Sequence, residues 1–210
     1  MAQQRFRRPA MLAPDQADAI ASDADPTARS EVAHTIAQAL VRGGREGSQD
    51  QELLERLIAL VDHEGLDAIA ELWAQSPAET LPGALWRLYL LREWVQRDPS
   101  TIAERYRLGI HRAEVAGVVA GVADPAGPQE IRRIVDAVLS GVYGGDLSVA
   151  LDRAAAFVRV LATGSAMDAD WLELSDSERA TALTRRAGAL LDTAADLEEA
   201  AGLWRTGRLE

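Results

Sequence analysis

Cysteine, lysine and asparagine are all absent from this chain of 210 residues. The lack of cysteine excludes disulfides, thiolate nucleophiles and cysteine-ligated metal sites. A reducing cytoplasm is the simplest compartment for such a chain. All 22 basic residues are arginine and alanine is abundant, a composition typical of a G+C-rich bacterial genome. We therefore expect a cytoplasmic bacterial protein.

Long apolar runs are also lacking. The longest, Val115 to Ala123, has nine residues, whereas a membrane-spanning helix needs about 20. The basic start of the chain, with Arg5, Arg7 and Arg8, is not followed by the apolar segment of a secretory signal. We expect a soluble protein with no membrane partner. Residues 1–24 show no sustained period and are predicted to form a flexible N-terminal arm.

The remaining residues, 25–210, are predicted to form one all-α domain, a bundle of about eight helices. Apolar residues recur at helical spacing in most segments, most clearly at Ile131, Val135 and Val138. The segment 82–97 is the most apolar, which favours a central position. Residues 111–123 are rich in Val and Gly and fit either a helix or a strand, and we favour a helix because no partner strand is present. Residues 163–174 are predicted to be a connection.

The last predicted helix carries a regular heptad pattern. Ser175 and Glu178 form a capping-box pattern at its start. Alanine recurs every seven residues from Ala180 to Ala201, and three residues later an apolar side chain recurs as well: Leu183, Leu190, Leu197 and Trp204. A helix over 176–205 would be about 45 Å long, which exceeds the expected diameter of a compact domain of this size. Two hypotheses stay open: the stripe packs within its own chain, or it forms a homodimer interface.

Catalytic and metal-binding patterns are scarce. The motifs G-x-S-x-G, H-E-x-x-H and G-x-G-x-x-G are absent, and only three histidines are present. Glu31-x-x-His34 has the spacing of a di-iron ligand pair, but a di-iron site needs a second such motif and two more carboxylates. The glycines from Gly141 to Gly145 lack the Lys-Ser/Thr pair of a phosphate-binding loop and favour a turn. We expect no catalytic residues, no metal site, no cofactor and no enzymatic activity.

Charge is distributed unevenly along the chain. The net charge is −11, which on average repels nucleic acid and anionic lipid. One basic stretch stands out, with arginines mixed among aromatic residues: Arg87, Arg92, Arg97, Arg105, Arg107 and Arg112. Residues 98–122 also loosely suggest a helix-turn-helix, although the second helix would offer few side chains to read bases. A DNA-binding regulator using the segment 87–112 is therefore an alternative that we do not favour.

The function that the sequence favours is a non-catalytic regulatory or scaffolding protein that acts through protein–protein association as a homodimer. This hypothesis depends on the heptad stripe and on the lack of a catalytic motif. A further alternative is a small-molecule-binding helical domain, whose pocket would lie among aromatic side chains at Trp73, Trp86, Tyr89 and Trp94.

Overall fold

Seven α-helices account for most of the residues that the computed structural model describes, which are 26–43, 65–112, 126–172 and 176–210. In chain order they are α1 (Pro26–Gly43), α2 (Leu66–Trp73), α3 (Leu81–Arg97), α4 (Pro99–Gly109), α5 (Pro128–Leu139), α6 (Leu147–Leu172) and α7 (Ser177–Arg205). No strand occurs within these ranges. The predicted all-α bundle is confirmed. The arm over 1–24, the predicted helix over 48–64 and most of the segment 111–123 lie outside the described residues.

Short polar side chains set the starts of α3 and α4. The Thr80 hydroxyl accepts a hydrogen bond from the Gly83 N–H at 3.2 Å, and a proline follows in the first turn. The Asp98 carboxylate accepts a hydrogen bond from the Thr101 N–H at 3.1 Å. Hydrogen bonds from Thr101 lower the pKa of Asp98, because they favour its charged form. Both caps therefore follow from local sequence.

The helices α6 and α7 form a long antiparallel hairpin, and this pair makes the most extensive helix–helix contact of the described residues. Two ion pairs join them: Arg159 with Glu198 and Arg205 with Asp152. The helix α7 is capped by Asp176, whose carboxylate accepts a hydrogen bond from the Arg179 N–H at 3.0 Å. Ser175, which was predicted to cap this helix, lies just outside the described residues. The side chain that caps the helix is that of the next residue, Asp176.

The prediction of a connection over 163–174 is wrong, because α6 continues without interruption to Leu172. Within this segment, Gly164 allows close packing of two helices. A Cβ atom on Gly164 would lie 2.0 Å from the Arg105 carbonyl oxygen on α4, and one on Gly109 would lie 2.0 Å from the Val160 carbonyl oxygen on α6. The backbones of α4 and α6 therefore cross at a distance that only glycine allows at both positions.

The core is built around α6, which is buried on nearly all sides. Its fully buried members include Leu151, Phe157 and Leu161. One side of α6 packs against α7 and another against α4, while α3 and α5 make smaller contacts with it. This central position had been predicted for 82–97. The segment forms α3, which is also largely buried but leaves Leu90 46% exposed.

The helices α1, α2, α5 and α7 pack around α3. Trp73 at the end of α2 is fully buried, and its indole N–H donates to the Ala33 carbonyl oxygen of α1 at 3.2 Å. The last residue of the chain contacts the start of α3, where the Leu81 N–H donates a hydrogen bond to the Glu210 carbonyl oxygen at 2.7 Å. Over the described ranges, none of the helices combines the length and apolar character of a membrane span.

Candidate functional site

The heptad stripe of α7 faces α6 of the same chain. Leu183 is 5% exposed and Leu197 is fully buried, while Leu190 and Trp204 are partly buried against the core. The alanines of the pattern, from Ala180 to Ala201, are buried between the two helices. The stripe therefore packs within its own chain. A second subunit could reach Leu183 and Leu197 only if the hairpin opened.

The length of α7 does not require another subunit either. It has 29 residues and is about 43 Å long, and α6 with 26 residues runs beside it for about 39 Å. A projecting end had been predicted because a helix of about 45 Å exceeds the diameter expected for a compact domain of this size. Since α6 continues through most of residues 163–174, α7 has an intramolecular partner along nearly all of its length.

The six arginines of the segment 87–112 do not form one basic face. Arg87 pairs with Asp196 at 2.7 Å, and Arg92 pairs with Asp136 at 2.6 Å and with Glu93 at 2.8 Å. These carboxylates neutralise Arg87 and Arg92. Their charge is therefore not available to a phosphate backbone unless the ion pairs break.

The other four arginines are dispersed. Arg105 is only 8% exposed, and its Nε has no hydrogen-bond partner. Arg97 is highly exposed but lies 3.2 Å from Glu93, while Arg107 and Arg112 are exposed at the far end of α4. Of the six arginines, few are therefore both exposed and free of a carboxylate partner. Nucleic-acid binding by this segment stays an untested prediction, and the geometry gives it no continuous surface.

The four aromatic residues predicted to line a pocket divide into two pairs. Trp73 and Tyr89 belong to the core, with exposures of 0% and 8%. Trp86 and Trp94 are partly buried and line a groove of about 330 Å³ between α3 and α7. This volume lies within the range of small-molecule pockets, which begins at roughly 300 Å³.

The groove, named here the α3–α7 groove, has an apolar floor. Leu90, Leu91 and Trp94 come from α3, Leu190 comes from α7, and Val158 of α6 lies beneath them. Leu90, one of these lining residues, is 46% exposed. The apolar surface of the groove is therefore partly open to solvent.

The rim of the groove is acidic. Arg87, Asp192 and Asp196 are its ionisable members. Arg87 and Asp196 neutralise each other through an ion pair, with an additional 2.9 Å hydrogen bond from the Arg87 Nε. Asp192 is exposed and takes part in none of the ion pairs within the described ranges. The groove consequently carries one uncompensated negative charge.

Tyr89 fixes the position of Trp86. The two rings stack with centroids 5.4 Å apart, and the Tyr89 hydroxyl donates to the Asp67 carboxylate at 2.8 Å. Burial, and then the hydrogen bond to Asp67, raise the pKa of Tyr89 to about 12. The neutral phenol thus joins α2 to α3 and supports one wall of the groove across the physiological pH range.

Groups of acidic and histidine side chains able to hold a metal ion do not occur in the described ranges. The Glu31-x-x-His34 pair lies on α1, where the His34 Nδ1 is 2.8 Å from the Ser30 carbonyl oxygen. A role in capping the local backbone accounts for this histidine. Comparisons of the chain with protein-family models, with curated proteins and with solved structures found no match.

Two of the residues that line the groove, Trp86 and Trp94, were predicted pocket residues, because aromatic-lined cavities between helices suit apolar ligands. The contributions of α7, above all Leu190 and Asp192, were not assigned to a pocket. Leu190 had been placed in the heptad stripe, which is correct, but it stands at the margin of that stripe. Only the packing of α3 against α7 reveals that Leu190 also lines a groove.

Proposed function

We propose that this protein is a non-catalytic regulatory or scaffolding protein that acts through association, and that its working surface is the α3–α7 groove. The observation that carries this proposal is an apolar groove with two indole side chains beside an exposed leucine. Apolar surface of this kind, rimmed by polar groups, is typical of interaction sites. The heptad stripe of α7, which first suggested association, is already occupied by α6.

The partner that we propose is a second copy of the chain. A two-fold symmetric dimer requires a surface that is complementary to itself. Leu90 is 46% exposed and lines the groove together with Trp86, Trp94 and Leu190. Leu90 of each subunit could therefore enter the groove of the other, so one surface would supply both the exposed side chain and its receptor.

A cytoplasmic, bacterial setting belongs to the same proposal. It is supported by the absence of cysteine and by the exclusive use of arginine among the basic residues. An intracellular regulator of this kind needs no disulfide to stabilise it, because its helices bury a core large enough for independent folding.

Sedimentation velocity of matched variants tests the proposed dimer. Leu90→Glu places a charge on the exposed leucine, and Val32→Glu does the same on α1, where Val32 is 48% exposed. We expect the wild-type chain and Val32→Glu to sediment as dimers and Leu90→Glu to sediment as a monomer with unchanged helicity. A wild-type monomer at high concentration, or equal dimerisation of all three proteins, would refute the proposal.

A second candidate function, small-molecule binding, uses the same groove. It is favoured by the volume of about 330 Å³ and by a lining that combines apolar side chains with a few polar groups. Trp86 and Trp94 provide flat, rigid surfaces for such a ligand. Binding and association would then compete, because both would cover the same side chains.

A further inference from the structure

The ionisable groups of the α3–α7 groove indicate which chemical class of small molecule it would accept. Of its three charged side chains, Arg87 and Asp196 form an ion pair at 2.7 Å, which leaves Asp192 without a partner. An anionic ligand would meet an uncompensated carboxylate, whereas a cationic ligand would neutralise it. The net charge of −11 favours the approach of a cation in the same way.

The indole side chains provide a second, independent reason. Trp86 and Trp94 line the groove, and the faces of tryptophan rings attract cations more strongly than those of other aromatic residues. One face of Trp86 is covered by Tyr89, with ring centroids 5.4 Å apart. Indole side chains, which attract cations, and apolar side chains therefore line the same groove.

The end of α2 completes the lining of the groove through Ala74 and Ser76. The partial negative charge of this helix end is offset by Arg29, whose guanidinium donates to the Glu71 carbonyl oxygen at 3.2 Å, so the helix end adds no preference for a cation. The carboxylate of Asp192 and the indole side chains favour positive charge, while Leu90, Leu91, Leu190 and Val158 favour an apolar body.

We propose that the α3–α7 groove binds an amphipathic organic cation, a molecule with an apolar body and one positive charge. The inference rests on the second candidate function, since it requires the groove to accept a small molecule. The apolar body would lie on the leucines and Val158, and its charge would lie between the indoles and Asp192. A bound cation would cover the groove and would therefore also weaken association of two subunits.

A pair of probes with the same shape and opposite charge tests this proposal. Tetraphenylphosphonium and tetraphenylborate are added in equilibrium dialysis to the wild-type chain, at a protein concentration low enough for it to sediment as a monomer, so that association does not compete with binding. We expect the cation to bind at least about fivefold more tightly than the anion, since indole faces and a carboxylate both discriminate between them. Equal binding of the two probes, or no binding of the cation, would overturn the proposal.

Removal of one carboxylate locates the binding site. Asp192→Asn should weaken cation binding roughly threefold, the size expected for a single exposed charge pair. Glu104→Gln is the matched control, because it removes the same charge from an exposed position on α4, away from the groove. Equal affinities for the two variants would refute the assigned site. Sedimentation without a probe tests the dimer separately, so failure of one proposal does not imply failure of the other.

Discussion

A single added methyl group should have opposite effects at two glycines of the α6–α7 hairpin. At Gly164 of α6, a Cβ atom would lie 2.0 Å from the Arg105 carbonyl oxygen and 3.0 Å from the Arg105 Cα. At Gly188 of α7, a Cβ atom would have no atom within 4 Å. Both positions are helical, so replacement by alanine favours the helix at each by about 1 kcal/mol. Only the surroundings differ.

The magnitude at Gly164 follows from the obstacle being backbone. The backbones of α4 and α6 would have to separate by about 1 Å for the new contact to reach even the 3.0 Å limit of real Cβ contacts. Overpacking costs about 1–3 kcal/mol, and the upper end applies where no side chain can move aside. After the gain in helix propensity, we expect Gly164→Ala to destabilise the fold by about 2 kcal/mol and Gly188→Ala to stabilise it by up to about 1 kcal/mol.

Urea denaturation followed by circular dichroism at one fixed protein concentration measures both changes. The free energies of unfolding of the two variants should differ by about 3 kcal/mol, with the wild-type chain between them. Gly109→Ala should resemble Gly164→Ala, since its Cβ would lie 2.0 Å from the Val160 carbonyl oxygen. If Gly164→Ala stabilised the protein as much as Gly188→Ala, the close crossing of α4 and α6 would be refuted.

Two further substitutions test the packing of α7 and the support of the groove. Leu197→Ala should lower the free energy of unfolding by about 2–5 kcal/mol, because Leu197 is fully buried against α6. Leu191→Ala, at a position that is 45% exposed, should lower it by less than about 0.5 kcal/mol. Similar losses for the two variants in urea denaturation would contradict burial of the stripe. Tyr89→Phe should flatten the alkaline loss of stability. With its pKa raised from 10.0 to about 12, Tyr89 stabilises the fold below pH 10, and this contribution of roughly 3 kcal/mol disappears between pH 10 and 12. A variant that lost stability over this range as steeply as the wild type would exclude Tyr89 as the cause.

Much of the fold could be predicted because its signals are local. Caps such as Thr80 and Asp98, and heptad spacing in α7, depend on residues within one or two turns of each other. The end of α6 could not be predicted in this way. The packing role of Gly164 depends on Arg105, which is 59 positions away in the chain.

The candidate site was less predictable because its halves come from distant parts of the sequence. Their aromatic character suggested Trp86 and Trp94, but their partners Leu190 and Asp192 belong to another helix about a hundred residues later. Arginine content likewise suggested a basic surface, and only the tertiary contacts show that Arg87 and Arg92 pair with carboxylates from α7 and α5. The charge of a surface depends on ion pairs between residues that are distant in the sequence, and local composition does not predict these pairs.

Cross-linking through a single introduced cysteine tests association at the α3–α7 groove most directly. The chain has no cysteine of its own, so Leu90→Cys carries the only thiol, as do the control variants Val32→Cys and Val142→Cys at exposed positions elsewhere. With a short bis-maleimide at low protein concentration, Leu90→Cys should form a covalent dimer, and the two controls should remain monomeric. Absence of a covalent Leu90→Cys dimer, or equal yields from all three variants, would contradict a dimer that forms through this groove.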